Sequence, residues 1–405
     1  MMKQLGWGIA IGAAMLWSAG AAAQGMRILS VDQHGERVAL AGVPSAWAGG
    51  KGESRLFRLG EDGWAEVERI PTPAWQKLEF IGADLLIDGR RQAQVDGKRT
   101  PVGDPITQSA MFSAQGDSGP IVRGEQLLIG IETFPREPLR LLRSAPDGWA
   151  TVAELAPPDQ LQWMMGSVYA DFDAQRVAIL LMPMGERCGL LIYESGSEGW
   201  QRAGPFFPEV CSEGTQLGGG SISLEGERLL IGAYPNPEPD GKAGQLALLE
   251  HRDGGWLETA RIQRPSIDGD YTDGGMQPYG FGHRVRLAEG MIHAASGYQV
   301  IHSHQPGVST EASVIRNGVF VFVEQDGGWQ VERHHVHAHP SATFGDDFDV
   351  RGNRMFIDSP DEEAAYVFVR TPDGYQLEAR LPSEPDLPSQ TDEQPESAEL
   401  EQADP

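Results

Sequence analysis

One pattern recurs along most of this chain and restricts its possible folds more than any other feature. The pattern is clearest in residues 221–256, where an alternating polar and apolar segment and a Gly turn lead into the apolar run of residues 229–233. After a loop rich in Pro and Gly comes a second apolar run, residues 246–249, and then a D-G-G turn before Trp256. Alternation with a period of two indicates β-strands, and short apolar runs between turns indicate strands that are buried on both faces. We therefore predict a four-stranded unit in this segment.

The unit recurs seven times, and each copy is marked by an apolar run. The seven runs are residues 38–42, 85–89, 127–131, 177–181, 229–233, 291–295 and 355–359. Successive runs start between 42 and 64 residues apart, which suits a four-stranded unit with variable loops and is too long for short-period helical solenoids. Because no linker separates the copies, the sequence favours one large closed assembly over two or three separate domains.

Six of the copies also share an aromatic residue after a Gly-containing turn, and only the second copy lacks it. These aromatic residues are Trp64, Trp149, Trp200, Trp256, Trp329 and Tyr375. Recurrence at one position of a repeat favours a packing role between neighbouring units. A stack of ligand-binding aromatics is the alternative interpretation.

A Phe-Gly pair begins two of the copies, at residues 281–282 and 344–345, and residues 230–235 have the sequence L-I-G-A-Y-P. Together with the G-G-W turns, these residues make the chain resemble, over residues 27–382, the FG-GAP repeat of integrin α-chain-like propellers in its bacterial secreted form. The resemblance implies an all-β fold, a seven-bladed β-propeller of four-stranded antiparallel blades. It also implies that the first and last copies meet to close the ring, and we place the propeller domain at residues 24–382.

The resembling family binds calcium in Asp-rich loops between the first two strands of a blade. Here the corresponding turns, such as residues 224–227 and 288–290, are short and offer fewer oxygen ligands than the six to eight that Ca²⁺ requires. Two other acidic loops, residues 236–240 and 268–273, lack the bidentate Glu that completes a calcium loop. We therefore interpret both loops as solvated and expect no calcium-dependent role.

Residues 1–23 have the features of a secretory signal peptide. Lys3 supplies the positive start, residues 5–17 form an apolar run, and residues 21–23 are the small residues that precede a cleavage site. The run is shorter than the roughly 20 residues of a membrane-spanning helix, and no Cys follows it to carry a lipid. We expect cleavage before Gln24 and a mature chain that is periplasmic or secreted, without membrane insertion.

The formal net charge of −26 restricts the partners of this chain. A surface this negative repels nucleic acids and anionic lipids, and no basic run offsets it. We therefore expect no nucleic-acid partner. Residues 383–405 are acidic, free of aromatics and rich in Pro, Gln and Glu, so they are predicted to form a disordered tail.

The chain has two cysteines, Cys188 and Cys211, which belong to one copy of the repeat. In an oxidising compartment a nearby pair most economically forms a disulfide, here stabilising by roughly 3 kcal/mol through the loop that it closes. A metal site or a nucleophilic thiol would need partners that the neighbouring sequence lacks.

Residues 116–120 have the sequence G-D-S-G-P and look like the nucleophile segment of trypsin-like serine proteases. The second Gly of the family pattern is missing, and His34, the only histidine upstream in the mature chain, lacks the A-A-H-C setting of the triad. The segment also coincides with the first strand and turn of a repeat copy. We therefore interpret the match as coincidence.

Histidines concentrate in the sixth copy, with four of them in residues 334–339. On an extended strand alternate side chains project from one face, so two or three imidazoles could share a Zn²⁺ or Cu²⁺ ion. The candidate metal ligands are His302, His304, His335, His337 and His339. The alternative is an outer, solvated strand whose histidines need no ligand, and a catalytic metal would also require an open coordination position and a base.

The longest insertions lie in the fifth and sixth copies, at residues 236–242, 267–279 and 297–313. Such insertions create binding surfaces when rigid blades hold them on one face, although neutral surface decoration is an alternative. The sequence leads to the hypothesis of an exported, monomeric, non-catalytic binding or scaffold module for an unknown protein or glycan ligand. No cofactor is expected under this hypothesis. The alternative is a metal-dependent enzyme or metal-binding protein that uses the histidine-rich segment with Zn²⁺ or Cu²⁺.

Overall fold

A computed structural model describes most of the repeat region of the chain. The described residues are 25–32, 34–43, 51–73, 78–87, 89–96, 98–106, 120–131, 133–158, 166–183, 188–206, 208, 217–235, 244–265, 276–300, 318–336, 344–345, 347–362 and 364–382. The predicted signal peptide and the predicted acidic tail lie outside them, so both stay predictions.

Seven antiparallel sheets follow one another along the chain, and we call them blades 1 to 7. Blade 1 contains β1 (Gly25–Val31), β2 (Arg37–Val43), β3 (Lys51–Gly60) and β4 (Gly63–Pro73). Blade 2 contains β5 (Leu78–Ile81), β6 (Asp84–Ile87), β7 (Arg90–Val95) and β8 (Lys98–Val102). Blade 3 contains β9 (Ile121–Arg123), β10 (Gln126–Ile129), β11 (Leu139–Ala145) and β12 (Gly148–Leu155). Blade 4 contains β13 (Gly166–Phe172), β14 (Arg176–Pro183), β15 (Gly189–Gly196) and β16 (Gly199–Phe206).

The remaining three blades repeat this arrangement with two local differences. Blade 5 contains β17 (Leu217–Glu225), β18 (Arg228–Pro235), β19 (Gln245–Arg252) and β20 (Gly255–Gln263). In blade 6, β21 (Met276–Tyr279) and β22 (Val285–Ala288) both pair with β23 (Met291–Val300), which is followed by β24 (Gly318–Gln325) and β25 (Gly328–Val336). Blade 7 contains β26 (Phe348–Arg351), β27 (Arg354–Ser359), a 3-10 turn (Pro360–Glu362), β28 (Ala364–Thr371) and β29 (Gly374–Leu381). The all-β, seven-bladed propeller is therefore confirmed.

The predicted apolar runs form the second strand of each blade, and their side chains are buried on both faces of the sheet. In β14, Ile179 and Leu181 pack against blade 3, whereas Leu180 and Met182 pack against blade 5. This alternation follows from the two-residue period of a strand. Burial of each such aliphatic side chain contributes roughly 1.5–3 kcal/mol, so the core is divided among the spaces between blades.

Seven clusters of buried apolar side chains fill the seven spaces between neighbouring blades, including the space between blades 7 and 1. That last cluster contains Val31, Val38, Leu40 and Phe57 from blade 1 and Phe356, Ala365, Val367 and Leu381 from blade 7. Among the described strands, each sheet contains only consecutive strands. The ring therefore closes by side-chain packing, not by a strand shared between its two ends.

The recurring aromatic residues begin the fourth strand of six blades and lie against the preceding blade. Trp256 of blade 5 is 5% exposed and belongs to the cluster with blade 4, and Tyr375 of blade 7 belongs to the cluster with blade 6. Trp64 of blade 1 meets Phe356 of blade 7 edge to face, with ring centroids 5.8 Å apart. The other three, Trp149, Trp200 and Trp329, are partly buried against the clusters that their blades share with the preceding blades.

The Phe-Gly pair at the start of blade 6 has a packing role. Phe281 is buried between blades 5 and 6, and Gly282 has a φ of +84°, a left-handed conformation that favours glycine. The carbonyl of Gly282 lies against Gly232 of blade 5, so a Cβ at Gly232 would be only 1.9 Å from that oxygen. The pair thus holds the start of blade 6 in close contact with blade 5.

No helix within the described ranges has the length and apolar character that a membrane span requires.

Candidate functional site

The first strands of the seven blades form the inner wall of the ring. Each first strand contacts the first strands of both neighbouring blades, in the order β1, β5, β9, β13, β17, β22 and β26, and β26 contacts β1. In each blade, one residue of the first strand pairs with the third residue of the second strand. The strand registers thus define one equivalent position in all seven first strands. The residues at this position are Ser30, Glu79, Ile121, Asp171, Ser223, Arg286 and Asp349. Four of the seven residues are charged.

Asp171 connects three blades through hydrogen bonds. Its carboxylate is buried in blade 4 and accepts from Nη2 of Arg123 in blade 3 at 2.7 Å. It also accepts from the backbone N–H of Leu224 in blade 5 at 2.9 Å and from that of Phe172 at 2.9 Å. A buried carboxylate with this many donors is fully compensated.

Asp349 of blade 7 is the second buried carboxylate of the inner wall. It accepts from Nε of Arg286 in blade 6 at 2.9 Å and from Nε of Arg351 at 3.1 Å. The backbone N–H of Val350 donates to the same carboxylate at 2.9 Å. Burial alone would raise the pKa of Asp349, but the arginines around it, Arg351 and Arg286 foremost, hold that pKa well below its ordinary value.

Arg123 of blade 3 is a further arginine of the inner wall. Burial lowers the pKa of Arg123, Asp171 partly compensates, and Arg351 lowers the pKa further. We call Arg123, Asp171, Arg286, Asp349 and Arg351 the axial cluster.

The axial cluster leaves hydrogen-bond donors available to a ligand. Among the described residues, Arg286 and Arg351 donate only through Nε, both to Asp349. The side chains of Arg123, Arg286 and Arg351 keep 17–20% of their surface exposed. Arg284 lies further along the wall, where its Nε forms an ion pair with Asp347 at 2.7 Å and donates to the carbonyl of Phe348 at 3.1 Å.

A second candidate site is a groove of about 610 Å³ on the outer part of the ring, between blades 5 and 6. We call it the rim groove. Its lining includes Glu250 and Arg261 from blade 5 and Phe322, Glu324, Trp329 and Val331 from blade 6. Val331 is 42% exposed, so apolar surface is open to solvent in this groove. Aromatic and aliphatic surface beside a few polar groups is typical of ligand sites.

The charged side chains of the rim groove neutralise one another. Arg228 lies between two carboxylates, with Nε 3.1 Å from Glu250 and Nη2 3.1 Å from Glu324. The guanidinium of Arg228 also lies 5.9 Å from the centre of the Trp329 ring, which fixes the aromatic wall. Arg261 pairs with Glu258 at 2.9 Å. The groove is therefore polar without a strong charge of either sign.

One candidate metal ligand, His335, points into the protein interior. His335 is 7% exposed and faces blade 7, with its ring 4.7 Å from that of Phe368 and 6.2 Å from that of Tyr375. Burial lowers the pKa of His335 to about 4, and Arg333 and His334 act in the same direction. The expectation that this strand is solvated throughout is wrong at His335, because the side chain completes the packing between blades 6 and 7.

The other candidate metal ligands, His302, His304, His337 and His339, lie outside the described residues. Within the described part of the chain, no group of three or more His, Cys, Asp or Glu side chains could hold a metal ion. The metal site thus stays a prediction.

Several other predicted features also fall wholly or partly outside the described residues. Cys188 is buried in the space between blades 4 and 5, but Cys211 is not described, so the disulfide stays a prediction. Of the protease-like segment only Pro120 is described, directly before β9. The acidic loops and the three insertions are outside as well, apart from the strand residues 276–279 and 297–300.

No family model and no curated protein sequence matches this chain. Solved structures resemble it in fold only. A proposed 6-phosphogluconolactonase from Bacteroides uniformis is 12% identical, with a TM-score of 0.45, covering 85% of this chain and 95% of its own. A periplasmic gluconolactonase from Pseudomonas aeruginosa is 11% identical, with a TM-score of 0.35, covering 87% of this chain and 83% of its own. The Aleuria aurantia lectin is 9% identical, with a TM-score of 0.37, covering 90% of this chain and 99% of its own. Similarities this distant carry no information about the ligand or activity of this chain.

Proposed function

We propose that this chain is an exported, non-catalytic binding module that holds a neutral saccharide in the rim groove between blades 5 and 6. One observation carries the proposal: an accessible groove combines the aromatic wall of Trp329 with charged groups that are already paired. The fifth and sixth copies are also those with the longest insertions in the sequence.

The chemistry of the groove supports a ligand with both C–H and hydroxyl surface. Trp329, Phe322 and Val331 offer apolar contact, while the carboxylates of Glu250 and Glu324 can accept hydrogen bonds from hydroxyl groups. Because Arg228 and Arg252 pair with the two carboxylates, a charged ligand would gain little from the groove. A neutral saccharide has the apolar C–H surface and the hydroxyl groups for these contacts, and it carries no charge.

Binding measurements with a matched pair of valine variants test this proposal. Val331→Ser changes the groove, and Val67→Ser changes another exposed valine, on the outer strand β4 of blade 1. A screen of neutral oligosaccharides on immobilised wild-type protein should identify a ligand, and calorimetry should then show at least fivefold weaker binding for Val331→Ser. Val67→Ser should bind like the wild type.

The outcomes separate binding in the groove from other possibilities. If no oligosaccharide binds at millimolar concentration, the saccharide class is wrong. If both valine variants bind like the wild type, the ligand occupies another surface. Hydrolysis of a bound oligosaccharide by the wild type would contradict the non-catalytic part of the proposal.

A further inference from the structure

The rim groove extends along the whole length of the two outermost strands of blade 5. Its lining includes Arg252, the last residue of β19, and Gln263, which pairs with Gln245 at the start of β19. Because β19 has 8 residues and a strand rises about 3.3 Å per residue, the lining spans roughly 25 Å. The rim groove is therefore an elongated cleft beside β20.

The two walls of the rim groove differ in length. Blade 6 lines the groove from the turn before Trp329 as far as Val331, whose strand partner Phe322 lies in the same wall. Blade 5 continues the lining to Gln263 and Pro265. A ligand is therefore held between two walls beside Trp329 and by blade 5 beside Gln263.

The polar groups at the two ends of the rim groove are of different kinds. At one end the carboxylate of Glu250 pairs with Nε of Arg228 at 3.1 Å and with Arg252. At the other end, Nε2 of Gln263 donates to Oε1 of Gln245 at 3.1 Å. This bond leaves the amide oxygen of Gln263 as an acceptor and the amide N–H groups of Gln245 as donors. A hydroxyl group both donates and accepts, so it complements these two neutral amides.

Apolar surface separates the two polar ends. Trp329 and Val331 form this middle part, and the guanidinium of Arg228 lies 5.9 Å from the centre of the Trp329 ring. A ligand that uses the whole groove must therefore carry hydroxyl groups at intervals along its length and C–H surface between them. A chain of sugar units has this pattern, whereas a single sugar covers only part of a groove this long.

We propose that the rim groove binds the interior of a linear chain of neutral sugars that lies along β20. One sugar unit contacts Trp329, and a later unit contacts Gln263 and Gln245. This inference rests on the proposed function, because it concerns the same groove and extends the ligand from a saccharide to a saccharide chain. The chain continues past both ends of the groove, so its terminal units make no essential contact.

Calorimetric titration of the wild type tests the length of the ligand. The probes are the linear malto-, cello- and xylo-oligosaccharides of one to six units, and each hexasaccharide is also tested as its methyl glycoside. In the series that binds, affinity should rise at least tenfold from two units to six, and the methyl group should change it less than twofold. A monosaccharide that binds as tightly as the hexasaccharide, or a methyl glycoside that fails to bind, overturns the chain inference and leaves the saccharide function intact. If no series binds, both proposals are wrong.

A substitution at the far end of the groove tests the path of the chain. Gln263→Ala should weaken hexasaccharide binding at least fivefold and change disaccharide binding less than twofold, because the disaccharide stays beside Trp329. Val331→Ser should weaken both ligands. Gln376→Ala is the matched control, since Gln376 is an exposed glutamine on β29, the outer strand of blade 7. Equal effects of Gln263→Ala on the two ligands, or no effect on either, would show that the chain does not follow β20.

Discussion

The imidazole Nε2 of His293 lies 3.2 Å from the hydroxyl of Tyr375, across the space between blades 6 and 7. Both side chains are fully buried, and the centroid of the His335 ring lies 6.2 Å from that of the Tyr375 ring. Burial lowers the pKa of His293 to about 3 and that of His335 to about 4. Burial also raises the pKa of Tyr375 above its ordinary value. The folded protein therefore keeps two uncharged histidines between these blades at neutral pH.

Acidification should destabilise the ring through these two histidines. Because both folded-state pKa values lie below the value of about 6.5 in the unfolded chain, the unfolded chain binds more protons, and the free energy of unfolding falls as the pH decreases. Between pH 7 and pH 5, each histidine should remove about 2 kcal/mol of stability. Urea unfolding at the two pH values should show a smaller difference for His293→Gln than for the wild type. The exposed His34→Gln serves as the control, and an unchanged pH dependence in His293→Gln would contradict this account.

Removal of the Asp171 carboxylate should be costly because three blades depend on it. Asp171→Ala leaves the partly buried Arg123 without its counter-charge and leaves the backbone N–H of Leu224 without its acceptor. We expect a loss of about 3–5 kcal/mol in the free energy of unfolding. Glu68→Gln is the control, because Glu68 pairs with Arg99 in a more exposed position and should cost less than about 1 kcal/mol. Similar losses in the two variants would show that Asp171 is not a structural link.

The close contact between blades 5 and 6 should not tolerate a side chain at Gly232. Gly232→Ala places a Cβ against the backbone carbonyl of Gly282, which cannot move without shifting the start of blade 6. We expect a loss of about 3 kcal/mol or more, measured by chemical denaturation. In the same blade, a Cβ at Gly255 would meet nothing within 4 Å, so Gly255→Ala should be nearly neutral. An equally mild effect of Gly232→Ala would mean that the two blades can separate slightly without cost.

Much of the fold could be predicted because it depends on local patterns that recur. The runs at residues 177–181 and 229–233 lie within β14 and β18, and their two-residue period is what buries them between blades. The ends of the strands were predicted less accurately in blades 2 and 3, where the second strands end at Ile87 and Ile129, two residues before the predicted runs end. Short strands carry fewer alternating positions, so their ends are less well determined by the pattern.

The axial cluster could not be predicted, because its members come from distant parts of the chain. Arg123 and Asp171 are 48 residues apart, and Arg286 and Asp349 are 63 apart. Only the packing of neighbouring blades against each other brings these pairs into contact. A charged residue within a first strand was the available signal, as at Asp171 and Asp349, but its partner cannot be identified from one strand. For His335 the strand was predicted correctly, whereas the inward direction of the side chain depends on blade 7.

The junction of blade 7 with blade 1 has a mechanical consequence. Each sheet there is complete by itself, so in the described residues the two ends of the propeller are held together by side-chain contacts, namely apolar packing such as that of Phe57 and Phe356 and a hydrogen bond from Trp64 to Glu378. A force applied to the two ends of the chain would therefore separate blade 7 from blade 1 before it unfolds any sheet. For the same reason, a circular permutant, in which the ends are joined and the chain is opened between two other blades, would retain all seven sheets intact.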